Sequence, residues 1–284
     1  MLNNKSIAVV IPAFNEANQI KMVLDGIPDF VDRIVVVDDN SKDNTIKIVE
    51  QYLTDNNSDL EIPSLLSKKI DNSPYNKADL ELRKKAINEL NFFTPHHCFN
   101  KNSIKERIIL IKHDYNAGVG AAISTGYKWC KDHAIDCSAV MAGDGQMDPL
   151  ELKSICEPIV KENIDYVKGN RLIHQSAWVI IPKVRFFGNS ILSILTKVAS
   201  GYWHISDTQT GYTAISNHAL NAIPIYKIYK RYGMPNDILI KLNIAFCTIR
   251  EIKIKPVYSV GEKSKLKILK VSFPILFLLI KGFI

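Results

Sequence analysis

IAVVIPAFNEANQIKMVLDGIPDFVDRIVVVDDNSKDNTIKIVEQY, residues 7–52, decides the fold class. Ile7 to Ile11 is a short apolar run rich in β-branched residues, the pattern of a strand buried on both faces. Pro12 removes a ladder donor and ends it. A helix is expected from Asn15-Glu16 to near Gly26. Arg33 to Val37 repeats the buried-strand pattern and stops at a polar turn running from Asp38 to Asp43. Ser41 or Asp43 suits the cap of a second helix, Asn44 to Tyr52. Two strand–helix units in succession call for a parallel sheet with crossover helices on its faces.

The same rhythm continues outward. Ile108 to Ile111 reads as a third strand, followed by the Gly-rich turn at residues 116–122 and a helix to Lys131. This turn, with Gly118 at its centre, either brings backbone N–H groups to a phosphate or allows close packing of helix on strand. It has no Walker lysine and no GxGxxG spacing. Next comes VMAGDGQMDP at 140–149. Here an apolar strand, Ala139 to Ala142, delivers Asp144 to its carboxyl tip, the edge at which open α/β sheets bind ligands. A helix from Leu150 to Glu162, a strand from Tyr166 to Gly169, a short strand ending near Ser216, a helix from Asn236 to Phe246 and an edge-like strand from Ile249 to Val257 complete the regular part.

Three stretches interrupt it. Residues 55–106 are polar and proline-broken around one helical patch, Lys77 to Leu90; inserts of this length are lids, partner surfaces or mobile loops. Residues 176–203 are strongly apolar with interspersed Lys183, Arg185 and Lys197. They are too broken for a bilayer span and suit either amphipathic helices at a membrane interface or core helices. The apolar tail at 266–284 is too short to cross a bilayer, so it is expected to lie on a membrane or to begin a span. Residues 1–265 therefore form the expected main domain. The formal net charge of +7 over 284 residues favours acidic partners such as nucleotides, phosphates or an anionic membrane. Nucleic acid ranks low, because no helix-turn-helix, zinc pattern or aromatic–basic interleaving is present. The five scattered cysteines have no CxxC pair, which argues against zinc and disulfides and for a reducing compartment.

In order, VVIPAFNEANQI (9–20), IVVVDDNSKDNT (34–45), HDYNAGVGAAISTGY (113–127), VMAGDGQMDP (140–149), KGNRL (168–172), DTQTGYTAIS (207–216), MPNDILIKL (234–242) and VYSVGEKSK (257–265) resemble glycosyltransferase family 2. The resemblance is strongest to the polyprenyl-phosphate (dolichyl-phosphate) glycosyltransferase branch. It implies a GT-A fold, Rossmann-like, with C-terminal amphipathic helices at the membrane interface. It also implies a nucleotide-sugar donor, UDP- or GDP-linked, and a polyprenyl phosphate acceptor at the cytoplasmic membrane face. By the same resemblance Pro12, Ala13, Asn15, Glu16 and Gly118 line the nucleotide pocket, and Asp39 or Asp38 reads the base. Asp144 and Gln146 hold Mg²⁺ or Mn²⁺ and the diphosphate, Arg171 faces phosphate, and Asp237 stands where a catalytic base is carried. Ala142 departs from the family's D-x-D, leaving one carboxylate. Thr213 replaces a common arginine, so Arg185 or Lys263 is expected to bind the lipid phosphate instead.

The chemistry accounts for these residue types. Charge builds on the diphosphate as the glycosidic bond breaks, and a divalent cation and fixed positive charge stabilise it. Mg²⁺ and Mn²⁺ accept one or two carboxylates plus phosphate and water. A phosphate acceptor is already ionised near neutral pH and needs cations to hold it. A sugar hydroxyl, the alternative acceptor in polysaccharide synthesis, needs a base within reach. Loss of turnover, leaving a membrane-surface scaffold, is a third reading with Ala142 as its support. His113 and His204 have no metal spacing and read as structural.

Overall fold

The computed structural model describes residues 1–53, 60–66, 69–71, 73–101, 104–258 and 268–283, without the side chains of 184–185, 268–273 and 283. Eight strands form one sheet: β1 (Ile7–Ala13), β2 (Arg33–Asp38), β3 (His96–Cys98), β4 (Ile108–His113), β5 (Cys137–Val140), β6 (Tyr166–Asn170), β7 (Thr213–Ser216) and β8 (Ile249–Lys253). Their order is β3-β4-β2-β1-β5-β7-β6-β8. The central four, β4-β2-β1-β5, are parallel. β7 lies antiparallel between β5 and β6, β8 is parallel to β6, and β3 is an antiparallel edge on β4.

The helices are α1 (Ile20–Asp25), α2 (Thr45–Glu50), α3 (Lys77–Leu90), α4 (Val119–Asp132), α5 (Leu152–Glu162), α6 (Ala177–Ile180), α7 (Lys183–Ser200), α8 (Asn217–Ala222), α9 (Met234–Ile244) and α10 (Ile268–Phe283). Alternate residues of the central strands feed two cores, as burial on both faces demands. Val10, Val35, Val37 and Ile109 pack with residues of α4, α8 and α9. Val9, Ile11, Ile34, Val36 and Leu110 pack with residues of α1, α2 and α5. α4 sits so close to β1 that a Cβ on Gly126 would lie 2.3 Å from Val10 Cγ1.

The chain leaves β1 for β2 and β4 on one side and returns to β5 on the other. The crevice between the carboxyl ends of β1 and β5 is therefore a topological switch point, where such sheets bind ligands. Several sequence expectations shift. α1 begins at Ile20 rather than near Asn15, because Asn15 takes a left-handed conformation (φ 54°) that asparagine tolerates and a helix does not. β3, inside the insert, and the antiparallel setting of β7 had no periodic signal in strands of three and four residues.

The insert is anchored to the sheet rather than free-standing. Arg33 is fully buried, and its guanidinium donates to the Asp32, Leu60 and Ile104 carbonyls, tying both ends of the insert to β2. Glu89 of α3 pairs with Lys131 (3.2 Å) and Lys128 (3.5 Å) of α4, and Phe92 stacks on Tyr226.

α7 is patterned inside out. Ser193, Thr196 and Ser200 are buried, whereas Phe187, Ile191, Ile194 and Val198 are exposed, Ile191 to 63%. α10 rests on α7 and α9 through Ile275, Leu279 and Ile240 and exposes Phe277 and Ile280. Among the described residues no helix is long and apolar enough to cross a membrane.

Candidate active site

The switch-point crevice is built by the loops after β1, β2, β4 and β5. Register places Ala13 beside Asp38, and the Asp39 N–H donates to the Ala13 carbonyl (2.8 Å). Past β1, three amides are held by side chains of the β2 loop: Asn15 N–H by Ser41 Oγ (2.9 Å), Glu16 N–H by Thr45 Oγ1 (2.9 Å) and Ala17 N–H by Asp43 (3.1 Å). Asn15 Oδ1 accepts in return from Lys42 N–H (2.8 Å). The two loops are thus one stitched wall. On the other side Gly143 N–H donates to the Pro12 carbonyl (3.3 Å), which brings Asp144 alongside Pro12 and Ala13. Asp144 Oδ1 accepts from Gln146 N–H (3.0 Å), a local turn that aims the strand tip.

Adjacent Asp38 and Asp39 are separated by the pleat. Asp38 is sealed inside, accepts from Ser41 N–H (2.9 Å) and leaves Oδ1 without a partner; burial raises its pKa. Asp39 faces the β4 side. Its Oδ1 accepts from His113 Nδ1 (2.8 Å) and Ala117 N–H (2.8 Å), and its Oδ2 accepts from Gly118 N–H (2.7 Å). Burial opposes this charge, but the His113 contact and the two amides outweigh it and hold the carboxyl below the usual range. His113 is fully buried and reaches Thr125 Oγ1 (2.9 Å) through its other nitrogen.

Gly118 has a φ of +105°, and a Cβ there would lie 2.5 Å from the Lys230 carbonyl. Its glycine requirement therefore comes from the 229–232 segment closing over the start of α4, and its N–H is engaged by Asp39. The same segment brings Tyr232 near Glu16 and Asp144; burial first, then those two carboxylates, raise its hydroxyl pKa.

Pro12, Ala13, Asn15, Glu16, Asp38, Asp39, Gly118 and Asp144 are thus gathered by four neighbouring strand ends. Asp237, on α9, is 5% exposed, accepts from Tyr229 N–H (2.7 Å) and pairs with Lys241. Through the first of these bonds it helps hold the 229–232 segment. Arg171 is clamped by Asp207 through Nε (2.8 Å) and Nη2 (3.0 Å). Asp207 is fully buried; burial opposes its charge, but the Arg171 guanidinium outweighs it and lowers the carboxyl pKa. Lys168 lies beneath, donating to the Thr210 carbonyl (2.6 Å), with burial pushing its pKa down to about 8. Lys263 and the Arg185 side chain lie outside the described residues.

Tyr232 is a residue near the site that sequence reading missed; His113, read as structural, is buried behind Asp39 as its partner. His113 ends a buried strand three residues before the Gly-rich turn, a position that offered a signal for this pairing; Tyr232 offered none. Among the described residues no cluster of three or more His, Cys, Asp or Glu could hold a metal ion. Asp144 with Gln146 supplies hard oxygen donors for one flank of a divalent cation, consistent with a cation held mostly by diphosphate and water.

A mostly parallel eight-stranded sheet flanked by helices, with an acidic strand tip at its switch point, is the architecture of the GT-A fold. The family model for glycosyl transferase family 2 matches residues 8–87 and 94–231, and the chain belongs to that family. It is a glycosyltransferase. A UDP-N-acetylglucosamine–dolichyl-phosphate N-acetylglucosaminyltransferase from Methanococcus voltae is 28% identical over 257 residues, covering 90% of this chain and 87% of the relative. An uncharacterized protein of Methanocaldococcus jannaschii is 25% identical over 280 residues, covering 98% and 93%. Glucosyl-3-phosphoglycerate synthase from Mycobacterium tuberculosis, solved with Mn²⁺, UDP and glucosyl-3-phosphoglycerate, shares the fold with a TM-score of 0.59 at 17% identity, covering 98% of this chain and 80% of that one. The same enzyme solved with Mg²⁺ and UDP gives a TM-score of 0.56.

Proposed function

We propose that the enzyme moves a hexose or N-acetylhexosamine from a UDP-sugar to a polyprenyl phosphate at a membrane surface, inverting the anomeric centre. The observation that carries this is α7. Its outer face is apolar, and its polar inner face bonds to the loop whose Asp207 grips Arg171. An acceptor with an apolar tail and a phosphate head fits an apolar helix beside an oriented guanidinium. The Methanococcus relative's use of dolichyl phosphate points the same way. A phosphate acceptor also needs no base, so this reading does not depend on Asp237, which accepts from Tyr229 N–H and pairs with Lys241.

Uracil is favoured by counting lone pairs. An ionised carboxylate has about four acceptor positions, and Asp39 has committed three of them. One position on Oδ2 remains. Uracil presents a single N–H on its pairing edge and matches it. Guanine presents two adjacent donors and wants both oxygens. When bound, Mg²⁺ or Mn²⁺ would neutralise the charge building on the diphosphate, with Asp144 and Gln146 as its protein ligands. Glu16 and the stitched 15–17 and 41–45 loops enclose the nucleotide, and Tyr232 covers it.

The test is direct. Purified protein with Mg²⁺ or Mn²⁺ is incubated with labelled UDP- and GDP-sugars and polyprenyl phosphate, and lipid is extracted. Label from UDP-sugar in the organic phase is the expected result. Product formed only on a saccharide hydroxyl, or only from GDP-sugar, would overturn the reading. Membrane contact has its own check: Ile191→Glu with Ile194→Glu is expected to weaken binding to anionic phospholipid vesicles by at least about 100-fold, since each isoleucine contributes roughly 1.5–3 kcal/mol on burial. Both positions are exposed, so folding is retained. Unchanged vesicle binding by the folded variant would remove α7 from the interface.

A further inference from the structure

α7 turns polar groups inward, and those groups do not simply fill space. Ser193 Oγ lies 3.1 Å from Thr208 Oγ1 and also accepts from Thr208 N–H (3.3 Å). The Thr196 hydroxyl reaches Asn236 Oδ1 (3.0 Å) and its own helix at the Leu192 carbonyl (2.7 Å). Gln209 Nε2 donates to the same Asn236 oxygen (2.7 Å) and to Thr208 Oγ1 (2.7 Å). Ser193, Thr196, Thr208 and Asn236 are each at most 4% exposed. A polar seam thus joins α7, the start of α9 and the loop at 207–210.

That loop is pinned at its other end as well. Glu251 of β8 accepts from the Ser206 (2.7 Å) and Asp207 (2.9 Å) amides, and Asp207 Oδ1 accepts from Gln209 N–H (3.3 Å). Asp207 in turn fixes the Arg171 guanidinium through two contacts, a geometry that leaves the fork little freedom. Buried hydroxyl and amide groups cost free energy unless satisfied, so a polar inner face on a helix with an apolar outer face calls for a reason. Packing alone would be met by Ala, Val and Leu at these positions.

We propose that Thr196 and Asn236 are positioning residues for the acceptor side of the reaction: with Gln209 and Thr208 they fix the Asp207–Arg171 pair to the helix whose outer face meets the lipid. The proposal rests on the reading of Arg171 as a phosphate contact and of α7 as the lipid-facing helix. Its content is that the site and the membrane-facing helix move as one body, so the phosphate is presented at a set depth from the bilayer. The seam's side-chain bonds run to the 207–210 loop, whereas the Asp39 carboxylate is held by His113, Ala117 and Gly118, so loss of one seam hydroxyl should fall on the acceptor side first.

The experiment compares Thr196→Val, which removes the hydroxyl at nearly constant shape, with Thr196→Ser, which keeps it. Steady-state transfer to polyprenyl phosphate in vesicles, UDP affinity by calorimetry in the presence of Mn²⁺, and thermal melting are measured for both. Thr196→Val is expected to raise the acceptor KM by about tenfold, the scale of one lost buried hydrogen bond, with UDP affinity unchanged and melting lowered by only a few degrees. Thr196→Ser is expected to keep wild-type kinetics. Ser193→Ala, which breaks the second link, is expected to show the same split at smaller amplitude and serves should the valine variant misfold. A wild-type acceptor KM in both Thr196→Val and Ser193→Ala, equal losses in the valine and serine variants, or a UDP affinity that falls in step with the acceptor would each overturn the proposal. Should the wild-type enzyme use a saccharide hydroxyl, the lipid reading fails on its own; the split between valine and serine in that acceptor's KM still decides the seam.

Discussion

Asp144→Asn is expected to lower the rate of transfer by about two to three orders of magnitude, the scale of losing one preorganised charge at a transition state, with melting unchanged. Asparagine isolates the charge. Asp144 Oδ1 accepts from Gln146 N–H, and the Asn side-chain oxygen can accept the same bond, so the turn at the tip of β5 survives. What disappears is the negative charge at this strand tip. Ala142 occupies the position where the family usually has its first carboxylate, and no described cluster of three ligands stands in for it. The expected companion result is that UDP affinity no longer rises on adding Mn²⁺. An Asp144→Asn enzyme that keeps normal turnover and metal-dependent UDP binding would remove Asp144 from the metal and diphosphate site.

Asp39→Asn is expected to act on both folding and the nucleotide. An amide cannot present acceptors to His113, Ala117 N–H and Gly118 N–H together, because its nitrogen must face one of these donors. Breaking a buried charge-assisted arrangement from one side costs about 3 kcal/mol or more, which corresponds to a melting temperature lower by on the order of 10 °C. The lost acceptor position is expected to weaken UDP binding by at least about tenfold. The pH dependence has a definite sign. The carboxyl of Asp39 is held below its ordinary value in the folded chain, so its contribution is fully present above the unfolded-state pKa of about 3.9 and is lost as pH falls through the lower folded-state value. Wild type should therefore lose stability in that acid window, and the variant should lose less there. Equal melting curves for wild type and Asp39→Asn, with equal UDP affinity, would contradict the assigned role.

Much of this architecture was legible from local pattern. β1, β2, β4 and β6 read directly as buried runs, and α3 occupies the expected span from Lys77 to Leu90. The eight motifs pointed to the family, and the family model covers most of them. What failed was local in origin too. β3 is too short to show a period, the strand ending at Ser216 is legible but its antiparallel setting is not, and Asn15 breaks a helix by a backbone conformation that a sequence pattern does not display. The insert was open between lid, partner surface and mobile loop. Arg33, which clamps both its ends, sits in β2 and looks from sequence like an ordinary strand-edge charge.

By itself, then, the sequence determined the parallel sheet, the placement of Asp38, Asp39 and Asp144 at strand ends, and the enzyme family. Each of these depends on periodicity, turn residues or motif order along a continuous segment. Only the tertiary structure decided which partners hold the charged and polar side chains. Asp39 is held by a histidine 74 residues away, Arg171 by an aspartate 36 residues on, and the polar stripe of α7 by residues of a separate loop and helix. The physical reason is that a charge in a buried setting is governed by the partners that satisfy it, and those partners are assembled by the fold from distant parts of the chain.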